Sequence, residues 1–401
     1  MPVIGVTAEY NPFHQGHAYH LRRCREELGE DSTLICVMSG DFVQRGEAAV
    51  YSKFARAEAA CRCGADLVVE LPLPWCLSSA ERFAAGAVSI LGRLGAEHLC
   101  FGSESGDTAR LGTIAQTLLD PSLTEETKCI LAERETLSYA EARQLALRER
   151  FGDTAALLER PNDLLAVEYM KAIGALALPM TPHAILRRGS AHDAPETVPG
   201  MRSASALRQL LRSGQSIRGQ VPEAAEFVYA RERERGRETE PAVLEFAALS
   251  RLRQLDAEDF EALPDARDGL GLRLFRAVQA EGSLEAIHSA AKTRRYAMSR
   301  IRRMCLCACL GVRAGMNEGL PPYARVLALN SRGQAHLSAM REKAGIPPLT
   351  RAASVRRLSP ECLSLFTLGA QAHDFFVLGY TRPEERRAGE DWRRGPFILA
   401  D

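Results

Sequence analysis

Four short apolar runs near the N-terminus, residues 3–7, 33–38, 67–71 and 98–101, restrict the fold more than any other feature of the chain. Helical stretches near residues 17–28, 52–63 and 79–94 separate them. Strands this apolar, joined by helices, are expected where a parallel sheet is covered on both faces. The sequence therefore predicts an α/β chain built on an open, doubly wound parallel sheet. Such sheets bind ligands at the carboxyl ends of their strands. There the sequence places His14, Ser39-Gly40-Asp41 and Gly102-Ser103-Glu104.

The first run is followed by Asn11-Pro12-Phe13-His14-Gln15-Gly16-His17, and a helix begins near Ala18. Two histidines three positions apart, with a glycine between them, can both face whatever occupies the helix N-terminus, a place that favours anions. Neither GxxxxGK[ST] nor GxGxxG occurs, which excludes the P-loop and the standard dinucleotide fingerprint. Glycine lets the backbone come close to a phosphate, and two imidazoles can donate to oxygens that gain charge during attack on phosphorus. In isolation the pair could equally be a cap or a satisfied surface pair. Three further features keep it company: Asn162 at an expected helix start, Arg187 after an expected strand at 183–186, and Ser203-Ala204-Ser205-Ala206-Leu207-Arg208 at another helix start. The two serines could alternatively be plain N-caps.

Residues 124–150 read as charged helix, part of a helical insertion at about 107–160. A dense mixed-charge stretch at 231–240 suggests a boundary. The expected division is 1–235, a nucleotide-binding catalytic domain, and 236–401, a mainly helical region. Formal net charge is zero, so a polyanion site has to be a local patch. One stretch offers it: Lys292, Arg294, Arg295, Arg300, Arg302 and Arg303, with Tyr296 among them. Read as a single helix over 284–304, Lys292, Arg295, Ser299 and Arg302 share one face and Ile301, Met304, Cys305 and Ala308 another. Tyr296 would then be available to stack on a base. The alternative is a solvated arginine face.

Eleven cysteines, an odd number without a small-domain framework, fit free thiols. Cys61-Arg62-Cys63 and Cys305-Leu306-Cys307-Ala308-Cys309 are not zinc-ribbon spacings, and small buried helix residues explain them better than a metal. The N-terminus carries no basic leader, and apolar runs at 172–180 and 305–312 are too short to span a bilayer. A cytoplasmic location with no membrane partner is the expectation.

The serine-rich element resembles the S-x-[ST]-x-[IL]-R signature of the HxGH nucleotidyltransferase superfamily. A narrower resemblance rests on Glu9-Tyr10-Asn11-Pro12-Phe13-His14-Gln15-Gly16-His17, on Val37 to Glu47, and on Val69-Glu70-Leu71-Pro72. It continues in Ser79 to Ala84, Cys100-Phe101-Gly102-Ser103-Glu104, Pro161 to Tyr169 and Thr293-Arg294-Arg295-Tyr296. Over residues 3 to about 330 the chain looks like the bacterial tRNA(Met) cytidine acetate ligases. The family often has lysine where Arg294 stands, and the charge is kept.

That resemblance implies two steps. Acetate attacks the alpha-phosphate of ATP to give acetyl-adenylate and pyrophosphate, and the wobble cytidine of elongator methionine tRNA then takes the acetyl group on its exocyclic amine. The product is N4-acetylcytidine, with no need for acetyl-CoA. It implies ATP contacts from Thr7, Ala8, Glu9, Tyr10, Asn11, Pro12, Phe13, His14, Gln15, Gly16, His17, Ala18, Tyr19 and His20, and from Gly102, Asn162 and Arg187. Ser203 and Ser205 join by superfamily analogy. His14 and His17 would be catalytic, Mg²⁺ would accompany the phosphates, and Arg294, Arg295, Tyr296 and Arg302 would meet tRNA. A small-molecule adenylyltransferase of coenzyme biosynthesis is the alternative use of the same motif.

The loop from Ser39 to Glu47 follows the second strand. Asp41, Gln44 and Arg45 could there position acetate or the cytosine, which makes Asp41 a third catalytic candidate; Lys53 could approach phosphate. The other reading is a structural loop held by its own turns.

Overall fold

The computed structural model describes residues 1–134, 137, 139–187 and 202–400. The chain opens with β1 (Val3–Ala8), α1 (Gln15–Leu28) and β2 (Thr33–Ser39), then a hairpin of β3 (Phe42–Val43) and β4 (Glu47–Ala48). Next come α2 (Lys53–Arg62), β5 (Leu67–Leu71), the single turn α3 (Leu73–Cys76), α4 (Ala80–Arg93) and β6 (His98–Ser103). Helices α5 (Thr108–Leu119), α6 (Pro121–Glu133) and α7 (Tyr139–Phe151) follow β6, and α8 (Pro161–Ala175) returns the chain to β7 (Thr181–Leu186).

Five strands run parallel in the order β5-β2-β1-β6-β7. Side-chain alternation divides them between two cores. Val3, Ile35, Val37, Leu67 and Val69 face α4 and α8, whereas Ile4, Val6, Leu34, Cys36 and Val68 face the opposite layer with α1 and α2. All ten are buried, each contributing on the order of 1–3 kcal/mol by leaving water. This double coverage is why the strand sequences carry no polar face.

The second half continues through α9 (Ala204–Arg212) and α10 (Glu223–Glu234) into α11 (Pro241–Leu252), α12 (Ala257–Glu261), α13 (Leu270–Ala280), α14 (Leu284–Ala291) and α15 (Met298–Leu310). These last five close around a third core that includes Leu252, Phe260, Leu274, Ile301 and Met304. Then come β8 (Ala324–Leu329), α16 (Ser331–Ala339), β9 (Pro348–Leu349), α17 (Pro360–Val377), α18 (Glu390–Arg393) and β10 (Phe397–Ile398). β8 lies antiparallel beside β5, and β10 and β9 pair with β8. The sheet is thus mixed. Strands from both sides of the expected boundary near residue 235 share this one sheet. No helix among the described residues is long and apolar enough to cross a membrane.

One expected helix is two. Residues 292–297 break the run from 284 to 304. Arg273 donates from Nε to the Ala291 carbonyl at 3.0 Å and from Nη2 to that of Ala290 at 2.8 Å, satisfying the end of α14. Thr293 Oγ1 accepts the Arg295 N–H at 3.2 Å, and Lys292 Nζ donates to the Thr293 and Tyr296 carbonyls at 2.7 and 2.6 Å. A local hydroxyl turn replaces the helical ladder there.

Candidate active site

The turn between β1 and α1 is held from three sides. Asn11 Oδ1 accepts the Val50 N–H at 2.9 Å, the Asn11 carbonyl accepts Arg208 Nη1 at 2.9 Å, and the Phe13 N–H donates to the Tyr229 hydroxyl at 2.8 Å. His14 is therefore the N-cap of α1. Its Nδ1 accepts the Gly16 N–H at 3.0 Å, and the His14 N–H donates to Nδ1 of His17 at 3.2 Å. The two side chains form a reciprocal capping box, a role more often filled by Ser or Thr with Glu.

This box fixes the tautomers. A ring nitrogen that accepts an N–H carries no proton, so each neutral imidazole carries its hydrogen on Nε2. Burial first, then Arg187 and Arg208, pushes His14 down to about 4; burial, His14 and Arg187 push His17 well down. Both rings are neutral at pH 7 and each retains one N–H donor. They stack with centroids 3.8 Å apart. A Cβ on Gly16 would lie 2.8 Å from His14 Cε1, so the glycine between the histidines is what lets the cap ring fold back.

The pair lines a cavity of about 780 Å³ at the carboxyl ends of β1 and β6. Thr7, Ala8, Glu9, Tyr10, Gly16, Tyr19, His20, Gly102, Asn162, Arg187 and Ser203 line it as well. Asn11, Pro12, Phe13, Gln15, Ala18 and Ser205 are not among its lining residues. Asn11 and Phe13 are instead the buried supports of the turn, and Ser205 reaches the cavity only through Ser203, their hydroxyls 3.0 Å apart. Ser203 caps α9 by accepting the Ala206 N–H at 3.3 Å.

Opposite the histidines, β6 and α8 clasp each other. Glu104 accepts the Asp163 N–H at 2.9 Å and also holds the Asn162 amide, taking up the N-terminus of α8. Asp163 reciprocates by accepting from Ser103 and from the Glu104 N–H at 3.0 Å. A Cβ on Gly102 would lie 3.2 Å from Arg187 Cγ, which makes room for the arginine along the cavity wall.

Three expectations do not survive. Asp41 does not line the cavity: it is buried, accepts the Lys53 N–H at 2.7 Å through Oδ1, and lies 2.8 Å from His373 Nδ1 through Oδ2. Lys53 is enclosed with it, 2.8 Å from both Glu70 and Asp391, and cannot approach phosphate. Tyr296 is a core side chain, 7% exposed, with its hydroxyl donating to the Asp268 carbonyl at 3.3 Å, so its ring cannot stack on a base. Arg294 and Arg295 are exposed on the 292–297 turn. Arg302 stands apart from them, pairing with Glu47 at 2.8 Å and lining the cavity with Arg303 and Ser299.

Sequence reasoning missed Arg56. It is fully buried and donates to the carbonyls of Glu9, Ser39, Gly40 and Tyr51, tying the ends of β1 and β2 together. An arginine set between alanines, Ala55-Arg56-Ala57, near the start of α2 was the available signal. Tyr169, Arg202 and Arg303 also line the cavity without having been singled out for it. Among the described residues, no group of three or more His, Cys, Asp or Glu stands close enough to hold a metal ion.

Comparison with known proteins adds to this geometry. A family model described as HIGH Nucleotidyl Transferase matches residues 1–391. The tRNA(Met) cytidine acetate ligase of Acetivibrio thermocellus is 32% identical over 420 residues, covering all of both chains. That of Syntrophotalea carbinolica is 37% identical over 360 residues, 87% of this chain and 85% of its own. The crystal structure of Thermotoga maritima TmcAL bound with alpha-thio ATP matches over the whole of both chains with a TM-score of 0.91 at 33% identity. The apo form of the same protein gives 0.93 at 32%.

Proposed function

The chain belongs to the HIGH nucleotidyl transferase family, among the tRNA(Met) cytidine acetate ligases, and on that premise we propose that it acetylates the wobble cytidine of elongator methionine tRNA from acetate and ATP. The observation that carries this is the histidine pair: two neutral rings with Nδ1 tied to backbone, lining a cavity shared with Arg187 and Ser203.

In the first step a carboxylate oxygen of acetate attacks the alpha-phosphorus and pyrophosphate departs. Negative charge grows on the non-bridging oxygens, and the two Nε2–H donors are preorganised to meet it. Arg187 and Ser203 hold the phosphates, and Gly102 and Asn162 shape the wall beside them. Among the described residues lining the cavity Glu9 is the sole carboxylate, too few donors for a protein cage, so Mg²⁺ accompanying the triphosphate would be held by the phosphates and would offset part of their charge. In the second step the cytidine N4 attacks the acetyl carbonyl of acetyl-adenylate and AMP leaves. Exposed Arg294 and Arg295, with Arg302 at the cavity edge, supply cations for the RNA backbone.

Incubation with ATP and labelled acetate, with and without unmodified methionine tRNA, tests the reading. Label should appear in RNA only when ATP is present. Label that requires acetyl-CoA, or ATP turnover that needs a nucleotide or pantetheine phosphate in place of tRNA, would overturn it.

A further inference from the structure

The second step needs a proton acceptor. The exocyclic amine of cytosine shares its lone pair with the ring, and once N4 has bonded to carbon its proton must go elsewhere. Most groups around the cavity cannot take it. Arg45, Arg187 and Arg302 are cations. His14 and His17 already use Nδ1 as an acceptor and carry hydrogen on Nε2.

One carboxylate lines the cavity among the described residues, and it is Glu9. The other acids of the region are engaged. Asp41 is buried against His373, Glu47 pairs with Arg302 at 2.8 Å, and Glu104 takes the N-terminus of α8. Glu9 follows β1 directly. Its Oε1 accepts the Gln44 N–H of the hairpin at 2.8 Å, and its carbonyl accepts from Arg56, so the residue is fixed between the nucleotide side of the cavity and the hairpin. A lone anion in a cavity that must receive a triphosphate is an electrostatic cost unless it has a task.

We propose that Glu9 is the general base of acetyl transfer. Its carboxylate takes the proton from cytidine N4 as N4 bonds to the acetyl carbonyl carbon; the bond from that carbon to the phosphate oxygen breaks, and the electron pair leaves with AMP. The assignment rests on the acetate-ligase reading above. Burial raises the Glu9 carboxyl above its ordinary 4.5 against the Gln44 N–H and the facing Arg45, Arg56 and Arg208, which brings it nearer the working pH. His20, the remaining imidazole in the cavity, is pushed by burial down to about 4 and holds a proton less well.

Glu9→Gln tests the proposal, because the amide oxygen can still accept the Gln44 N–H. Two rates are compared with wild type: acetate-dependent ATP–pyrophosphate exchange, and single-turnover transfer of label from preformed acetyl-adenylate to tRNA. The expected result is a loss of about 10²–10⁴ in transfer, at least about tenfold larger than any loss in exchange. The wild-type transfer rate should rise with pH through the Glu9 carboxyl and level off, and the variant should lack that limb. Equal losses in both rates would make Glu9 a holder of nucleotide or metal-phosphate, and no loss in either would remove it from the chemistry; each overturns the proposal. If Glu9→Gln does not fold, Glu9→Asp carries the test. A slower transfer with a displaced acidic limb supports the base, and an undisplaced limb refutes it. Wild-type protein that puts no label into tRNA would sink the acetate-ligase reading itself before any variant is compared.

Discussion

Asp41 Oδ2 and His373 Nδ1 lie 2.8 Å apart although 332 residues separate them, and both side chains are buried. The contact joins the loop after β2 to α17. Around it Lys53, Glu70, Arg325 and Asp391 close a charge network, with Arg325 Nη1 2.7 Å from Asp391 Oδ2. Removing one partner of a buried pair leaves the other charge uncompensated. Asp41→Asn is therefore expected to cost roughly 3–5 kcal/mol of stability, measured as a lower urea midpoint at unchanged slope. Its acetylation activity should fall in step with the folded fraction, whereas a stable protein that had lost only acetyl transfer would return Asp41 to the active site.

The same network gives stability a pH window. Burial alone would lower His373, but Asp41, Asp391 and the hydrogen bond to Asp41 hold it at about 10 against an ordinary 6.5. A raised group stabilises fully below its unfolded value and loses that contribution as pH climbs through its folded one. Glu390 runs the other way: burial would raise it, yet His373 and Arg394 hold it at about 2 against 4.5, so its share is present above 4.5 and lost toward 2. The contribution should be full between pH 4.5 and 6.5. His373→Gln should be less stable than wild type there, with the gap narrowing as urea melts move from pH 6.5 to 10. A gap independent of pH would mean His373 is not charged in the fold.

The limits of sequence reading follow from these contacts. Residues 67–71 were legible because a buried strand carries apolar residues on both faces, here all but Glu70, and Pro72 ends it. β8 was not, because nothing in Ala324–Leu329 signals an antiparallel partner in β5. Asp41 and Lys53 looked like cleft residues because their position after β2 is local information and their partners in α17 and α18 are not. The start of α1 lies before Ala18 because His14 caps it, and imidazole is an unusual cap. The histidine pair itself was legible, since its chemistry depends on spacing within one turn.

His14→Ala and His17→Ala should each lower ATP–pyrophosphate exchange by about 10²–10³, the cost of one preorganised donor to a developing charge. Each ring's Nδ1 is held by a backbone N–H that alanine at the other position retains, so each single variant loses one donor and the ring stacking, and the double variant should be worse than either single. Filter binding of tRNA should be nearly unaffected. Loss of tRNA binding with normal exchange would assign the histidines to the wrong step.

Arg294 and Arg295 are exposed on the turn between α14 and α15, where Lys292, also exposed, commits its ammonium to the Thr293 and Tyr296 carbonyls. If about four cations meet phosphate, log K should fall against log salt with a slope of roughly −3. Replacing both arginines with alanine should make the slope shallower by about 1.5. Tyr296→Phe, by contrast, loses only a buried hydroxyl contact worth on the order of 1 kcal/mol of stability, and tRNA affinity should stay as in wild type. Weakened binding in the phenylalanine variant at unchanged stability would place the ring at the RNA after all.

Gly46 ties the hairpin to α15. Its φ is +78°, and a Cβ there would lie 2.6 Å from the Arg303 backbone nitrogen and 2.7 Å from the Arg302 carbonyl carbon. Gly46→Ala meets a left-handed backbone cost of roughly 1–2 kcal/mol, and backbone atoms cannot yield as a flexible side chain would. The hairpin must move off α15. Gln44, two residues earlier, then shifts with the Glu9 carboxylate it holds at 2.8 Å, and the Glu47–Arg302 pair opens. A displacement of about 1 Å can cost about 10²-fold in rate. Acetyl transfer to tRNA should therefore fall by about that factor, with a smaller loss in pyrophosphate exchange, because the histidine turn is anchored elsewhere by Val50, Tyr229 and Arg208. Wild-type transfer in a folded Gly46→Ala protein would show that the hairpin does not position the reacting groups.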